Sequence, residues 1–399
     1  MNDSPAATTP PLRIALLTYS TKPRGGVVHT LALAEALARA GANVTVWTLG
    51  RGGDNTFFRQ VDAAVSVRVV PFEASDTETV GERILRSIRE LRHAFEPDNY
   101  DLVHAQDCIS ANAVDRCIRT VHHIDQFETP ELIACHERAI VNPDALICVS
   151  DAVAAEVAAG WGRGATVIPN GVDAARFAAA AEDTIEATAA RERWSSRLGS
   201  YVLAVGGIEP RKGTLDLLEA FALLAGATTT STNTTTDALT FGDLNLVIAG
   251  GETLFDYRDY RRTFDQRAAE LGIDVKMLGT INNDELPSLV AAASALGFVS
   301  TKEGFGLAAM EALAAGVPVV ARDLPVLREV FRDAVRYATD PAGIAAALRA
   351  SIAGAGDTDN SGSAADVAER GRRLAASYTW DAAAEAHLTL YRSLLTVAK

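Results

Sequence analysis

The chain is short of positive charge. Its 37 lysines and arginines face 51 aspartates and glutamates, a net charge of −14. A chain that wraps nucleic acid is excluded, because a phosphate backbone rewards a basic surface. Lysine is scarcer still, at Lys22, Lys212, Lys276, Lys302 and Lys399 alone. The four cysteines, Cys108, Cys117, Cys135 and Cys148, form no C-x-x-C pair. That spacing excludes a zinc knuckle, a redox dithiol or a disulfide scaffold, and leaves reduced, buried thiols. No apolar run reaches the roughly 18 residues of a transmembrane helix. The first eleven residues carry neither a basic start nor an apolar core, so they read as a flexible tail and not a signal peptide. The expected location is cytoplasmic. What is present is globular: 399 residues, 48% apolar and 22% charged. At roughly 150 residues per domain, two domains are expected.

The pattern along the chain is an α/β alternation. Leu12–Thr18 reads as a buried strand, Lys22–Gly26 as a turn, Val28–Ala40 as a helix closed by Gly41, and Ala42–Leu49 as the second strand. Strands follow at 102–104, 118–121, 145–149 and 166–168, with a helix over Thr79–Phe95. A second series has strands at 201–205, 244–249, 275–278, 295–299 and 318–321. Strands alternating with helices imply parallel sheets covered on both faces. The expected organisation is a tail over 1–11, an N-terminal domain over 12–172, a linker over 173–198 and a C-terminal domain over 199–375. A C-terminal helix over 376–399 is expected to cross back to the N-terminal domain. The Thr-rich stretch Ala227–Asp237 and the polar stretch Gly354–Ser363 read as surface loops.

Four constellations carry chemistry. Gly25 and Gly26 stand between the first strand and first helix, where glycines let backbone approach a ligand and the helix start favours an anion. Arg211 and Lys212 occupy the equivalent turn of the second domain, a phosphate-binding arrangement at a strand's C-terminal end. Glu303 and Glu311 flank a Gly304-Phe305-Gly306 turn at a helix start, whose free N–H groups suit an anion; Glu311, on an apolar helix, suits a sugar hydroxyl. His122 and His123 emerge at a strand end beside Asp125, without the further ligands a metal needs.

In this order, across two α/β domains, the motifs resemble the retaining glycosyltransferases of family 4, which have the GT-B fold. The sharpest piece is Glu303-x7-Glu311. Supporting pieces are Cys148-Val-Ser-Asp151, Ile168-Pro-Asn-Gly-Val-Asp173, Lys212-Gly213, Ala249-Gly-Gly251, Leu278-Gly279 and Gly316-Val-Pro318. The resemblance implies a hexosyl transfer from a nucleoside-diphosphate sugar, with retention and without a metal or other cofactor, to an unidentified acceptor. It implies that Gly25 and Gly26 approach the donor phosphates. His122 would contact the reacting centre, with His123 the alternative register. Lys212 would bind diphosphate and Glu303 the transferred sugar. Phe305, Gly306 and Leu307 would donate backbone N–H groups, Glu311 would hold the ribose and Thr280 would border the base. Gly207 stands where the family usually has an arginine, and Arg211 is the candidate substitute.

Two rival readings stand beside this one. The first is a degenerate GT-B protein that binds sugar nucleotides without transfer. The second is a nicotinamide-dependent oxidoreductase, because Gly304–Ala309 matches G-x-G-x-x-A with Asp323 downstream. Membrane docking through Arg83, Arg86, Arg89 and Arg92 is considered and not favoured. The helix bearing them has an apolar face of Ile84, Ile88, Leu91 and Phe95 that suits a sheet.

Overall fold

A computed structural model of the chain describes residues 10–397, apart from 74, 76, 126, 128, 227–240, 252–256 and 355–362. The first sheet gathers β1 (Arg13–Leu17), β2 (Asn43–Arg51), β3 (Val65–Phe72), β4 (Leu102–Ala105), β5 (Ile118–Val121), β6 (Ala145–Cys148) and β7 (Thr166–Val167). Its order is β3-β2-β1-β4-β5-β6-β7, every pair parallel. The crossovers are helices α1 (Gly25–Arg39), α2 (Val80–Ala94), α3 (Cys108–Asn112), α4 (Pro130–Val141) and α5 (Asp151–Trp161). Central strands such as β1 are buried on both faces, so they read as unbroken apolar runs. β3 lies at the edge, alternates buried and exposed residues and contains Pro71, which is why no apolar run announces it.

The second sheet holds β8 (Ser200–Val205), β9 (Leu244–Ala249), β10 (Lys276–Gly279), β11 (Ala295–Phe298), β12 (Val319–Arg322) and β13 (Arg336–Ala338), in the order β10-β9-β8-β11-β12-β13. Around it lie α8 (Thr214–Gly226), α9 (Arg258–Leu271), α10 (Leu286–Ala291), α11 (Leu307–Ala314), α12 (Pro325–Phe331) and α13 (Pro341–Ile352). Both sheets reverse strand order beside their first strand, between β1 and β4 and between β8 and β11. In open parallel sheets a crevice forms there at the carboxyl ends.

The segment expected as a linker folds as α6 (Ala174–Ala180) and α7 (Ile185–Leu198). Phe177, Trp194 and Leu198 are buried in the core beneath the second sheet. After α14 (Ala364–Ser377), helix α15 (Trp380–Val397) lies against α1. Ala383, Ala384, Leu388 and Tyr391 join the core that holds Ile14 and Leu31. Arg39 pairs with Asp381 at 2.5 Å. The chain therefore passes between the halves twice. The two passages touch where Val172 N–H donates to Tyr378 O at 2.8 Å.

Helix α2 opens with a capping box between Thr79 and Glu82. It turns Ile84 and Leu91 inward, fully buried. Arg86 is paired with Glu78 at 2.5 Å and Arg92 with Asp115 at 3.0 Å. Among the described residues no helix is long and apolar enough to cross a membrane.

Candidate active site at the interdomain cleft

The C-terminal half of the site grows from the end of β8. Gly206 and Gly207 follow it, then a 3-10 turn over Pro210–Lys212, and Gly213 in the left-handed region releases the chain into α8. Lys212 Nζ donates to Glu303 Oε1 at 2.6 Å, and Arg211 Nη1 reaches the same oxygen at 3.3 Å. Arg211 Nη2 also bonds Glu209 Oε1 at 3.1 Å. Burial pushes the Glu303 carboxyl up, but Lys212 and Arg211 outweigh it and hold it at about 2. The two cations and two carboxylates, Glu303 and Glu209, thus form a single ion-pair cluster at the crevice.

Glu303 belongs to the stretch between β11 and α11. Gly306 caps α11 with φ 94°, and a Cβ there would lie 2.5 Å from Phe331 Cζ, so only glycine fits. Phe305 is buried edge-on to Tyr378, with ring centroids 5.2 Å apart. What Phe305, Gly306 and Leu307 offer the crevice is backbone. Their N–H groups have no partner among the described residues, as at any helix start. One turn on, Glu311 is half-buried, and burial pushes its carboxyl up to about 8 against the pull of Arg176. Thr280 follows β10 at the exposed rim, packed so closely on Gly251 that a Cβ there would lie 2.4 Å from Thr280 Oγ1.

In the N-terminal half α1 begins at Gly25, three residues earlier than the sequence pattern indicates, because the glycines themselves take helical geometry. A Cβ on Gly26 would lie 3.5 Å from His122 Cδ2. His122 follows β5 and is half-buried. Burial, then His123 and Arg119, push its imidazole down to about 3, so it is neutral. Its Nε2 is buried without a partner among the described residues. His123 pairs instead with Asp125 at 3.0 Å. His122 therefore faces the Gly26 turn, and His123 does not.

The two halves meet at these residues. A Cβ on Gly304 would lie 1.6 Å from the His122 carbonyl oxygen. Lys302 Nζ donates to Ile124 O at 3.3 Å. Glu329 accepts the N–H groups of Asp151 and Ala152 at 2.8 and 2.9 Å, capping α5 from the opposite domain. The sequence patterns missed Lys302 and Glu329, because such contacts are set by docking and leave no local period. They also missed His29 on α1, edge-on to His122 with ring centroids 4.7 Å apart and bonded to Asn170 Oδ1 at 2.9 Å. Its signal is visible in hindsight: a histidine three residues past Gly26 on an otherwise apolar helix face.

The oxidoreductase reading fails on geometry. β11 ends at Phe298, six residues before Gly304, whereas a dinucleotide fingerprint places its first glycine at the strand end. Among the described residues no three His, Cys, Asp or Glu side chains are grouped to hold a metal. The Asp357-Thr-Asp359 triplet and Ala227–Asp237 fall outside the described residues.

A pair of parallel α/β halves brings a basic strand-end turn and a glutamate-flanked helix start to face a histidine, the arrangement that the glycosyltransferase resemblance implies. The family profiles agree. Glycosyltransferase Family 4 matches residues 23–176, and Glycosyl transferases group 1 matches residues 199–373. The chain belongs to the family 4 type of glycosyltransferases, with the GT-B fold. It is 27% identical to the D-inositol 3-phosphate glycosyltransferase of Salinispora arenicola, over 96% of this chain and 92% of that one. The enzyme of the same description from Geodermatophilus obscurus is 29% identical, over 86% and 83%. Among solved structures, sucrose-phosphate synthase from Thermosynechococcus elongatus superposes with a TM-score of 0.73 at 20% identity, covering 97% of this chain and 100% of that one. HepE from Anabaena in complex with UDP-glucose superposes at 0.69 with 19% identity, covering 96% and 100%.

Proposed function

We propose that this glycosyltransferase moves a hexosyl unit from a nucleoside-diphosphate sugar to an acceptor hydroxyl, with retention at the anomeric carbon and without a metal. The observation that carries this is the Lys212–Glu303–Arg211 cluster beside the open N–H groups of Phe305, Gly306 and Leu307. A departing nucleoside diphosphate develops negative charge. Two fixed cations and a helix start are preorganised to stabilise it, the work a divalent ion performs elsewhere. Glu311 sits one turn behind that anion site, within reach of the ribose hydroxyls. Neutral His122 can hydrogen-bond a sugar hydroxyl opposite. Glu303, ionised and held by both cations, is placed to bind the sugar. Retention then follows from attack on the face the diphosphate leaves, with the departing phosphate taking the acceptor proton. Gly207 removes one family cation, and Arg211, anchored between Glu209 and Glu303, supplies a charge at the same strand end. The relative that binds UDP-glucose makes uridine the first nucleotide to try.

The test is release of nucleoside diphosphate from a panel of UDP-, GDP- and ADP-sugars, with the anomeric configuration of the first-formed product read by NMR. Release that survives EDTA and yields the donor's own anomer is expected. Inversion, loss on chelation restored by a divalent cation, or binding with no turnover would each overturn the corresponding part of the reading.

A further inference from the structure

Arg119 is the least satisfied charge among the described residues near the reaction centre. It lies on β5, three residues before His122, and is 5% exposed. Nε and Nη1 are buried with no hydrogen-bond partner among the described residues, and no ion pair among them involves the side chain. Burying a guanidinium without a partner is strongly unfavourable, so a native fold keeps one where something else completes it.

The sheet fixes where Arg119 points. Ile118 joins the core beneath α15, and Thr120 Oγ1 bonds His104 Nε2 at 2.7 Å on that face. Successive strand residues alternate, so Arg119 faces the opposite side, against α3 and α4. Its strand partner is Ala105 of β4. Ala105 is the last residue of β4, so Arg119 stands level with the carboxyl end of that strand, the side where ligands of parallel sheets gather.

The described acids nearby, Asp107 and Asp125, are already occupied. Asp107 accepts from Ser110 N–H and Ser110 Oγ, both at 2.8 Å, and from Tyr19 N–H at 3.0 Å. Asp125 is paired with His123. A second orphan, Nε2 of His136, is buried on the same face, on α4. Two unused guanidinium donors call for oxygen acceptors, and an anion such as a carboxylate or a phosphate forms the strongest bonds of that kind.

We propose that Arg119 is an acceptor-recognition residue, and that the acceptor of this transferase carries an anionic group, carboxylate or phosphate, seated on its guanidinium beside His136. The proposal rests on the transferase reading above for the meaning of the site, but the binding it asserts is testable separately. The full chain is saturated with nucleoside diphosphate to fill the donor anion site, then titrated with inorganic phosphate or with acetate while the melting temperature is followed. A saturable rise with at least one anion is expected, and the responding anion tells phosphate from carboxylate. Arg119→Gln should weaken that anion by about tenfold or more, the worth of a charge-assisted bond. Arg116→Gln, on the same chain segment but 77% exposed, should respond like the native chain. If Arg119→Gln does not fold, Arg119→Lys carries the comparison, with the responding anion weakened about tenfold because a compact ammonium does not reproduce the guanidinium's spread donors. No saturable response to either anion, or an unchanged response in the Arg119 variant, overturns the proposal. A missing response to nucleoside diphosphate fails the donor reading instead, and the comparison of native chain with Arg119 variant still reads this site.

Discussion

Glu311 and Lys212 are opposite cases of one rule, that burial raises the free energy of a charge until a partner lowers it. Burial, aided by Asp173 and opposed by Arg176, leaves the Glu311 carboxyl at about 8, protonated at neutral pH. A ribose diol donates two hydrogen bonds to a carboxylate, so nucleotide binding should ionise Glu311 and release up to one proton at pH 7. Calorimetry in buffers of different ionisation enthalpy measures that release. Affinity should rise with pH toward 8, and Glu311→Gln should abolish the release and weaken binding about tenfold or more. Equal proton release in both proteins would remove Glu311 from the ribose. Lys212 is the paired case. It is paired with Glu303 and, in the proposed reaction, faces the leaving group. Lys212→Met should slow transfer by about 10²-fold, the usual cost of removing a preorganised donor to a developing anion. A native rate from a verified donor would assign Lys212 to structure alone.

At the scale of elements, the turn from β11 into α11 carries most of the site, and Gly304 shows how tightly it is docked. A Cβ there would lie 1.6 Å from the His122 carbonyl oxygen, so the obstacle is backbone and cannot rotate away. Gly304→Ala should hold the two halves apart, lowering kcat about tenfold or more while each half keeps its own core and nucleotide still binds. Unchanged kcat would mean that the halves do not need this contact during turnover. The same turn shows what a sequence can disclose. Glu303, Gly306 and Glu311 were legible because an anion site needs a glycine, a helix start and fixed spacing, all local. The central strands were legible because burial on both faces leaves long apolar runs. β3 and β13 were not, since edge strands are short or alternate, and α1 was placed too late because Gly25 and Gly26 do not look like a first helical turn. The ion pairs joining Glu303 to Lys212 and Arg211, some 90 residues earlier, require the fold to bring two strand ends together.

Across the whole molecule, a seam of histidines ties α15 to the crevice. His104 bonds Tyr391 Oη at 2.6 Å and Thr120 Oγ1 at 2.7 Å, and its ring lies 5.6 Å from that of His387. His387 donates Nδ1–H to Ala383 O at 2.7 Å. His29 stands between His387 and His122 at centroid distances of 6.4 and 4.7 Å. Burial pushes all four imidazoles down, His387 to about 4 and His122 to about 3, and His29 and His104 well below the ordinary value of 6.5. Each binds a proton more readily in the unfolded chain. Stability is therefore fully present above about pH 6.5 and is lost as pH falls from there toward 4, by up to about 1.4 kcal/mol per pH unit for each histidine. Urea midpoints should fall steadily between pH 7 and 5, a window above most carboxylate titration. His387→Phe keeps an aromatic ring against Tyr391 and removes one titrating group, so its midpoint should fall less steeply over the same interval. Because α15 is held to the first domain through this seam, amide exchange in residues 383–391 should accelerate on acidification before exchange in β8 or β11 does. Parallel acid profiles for native chain and His387→Phe would show that the seam does not set acid stability.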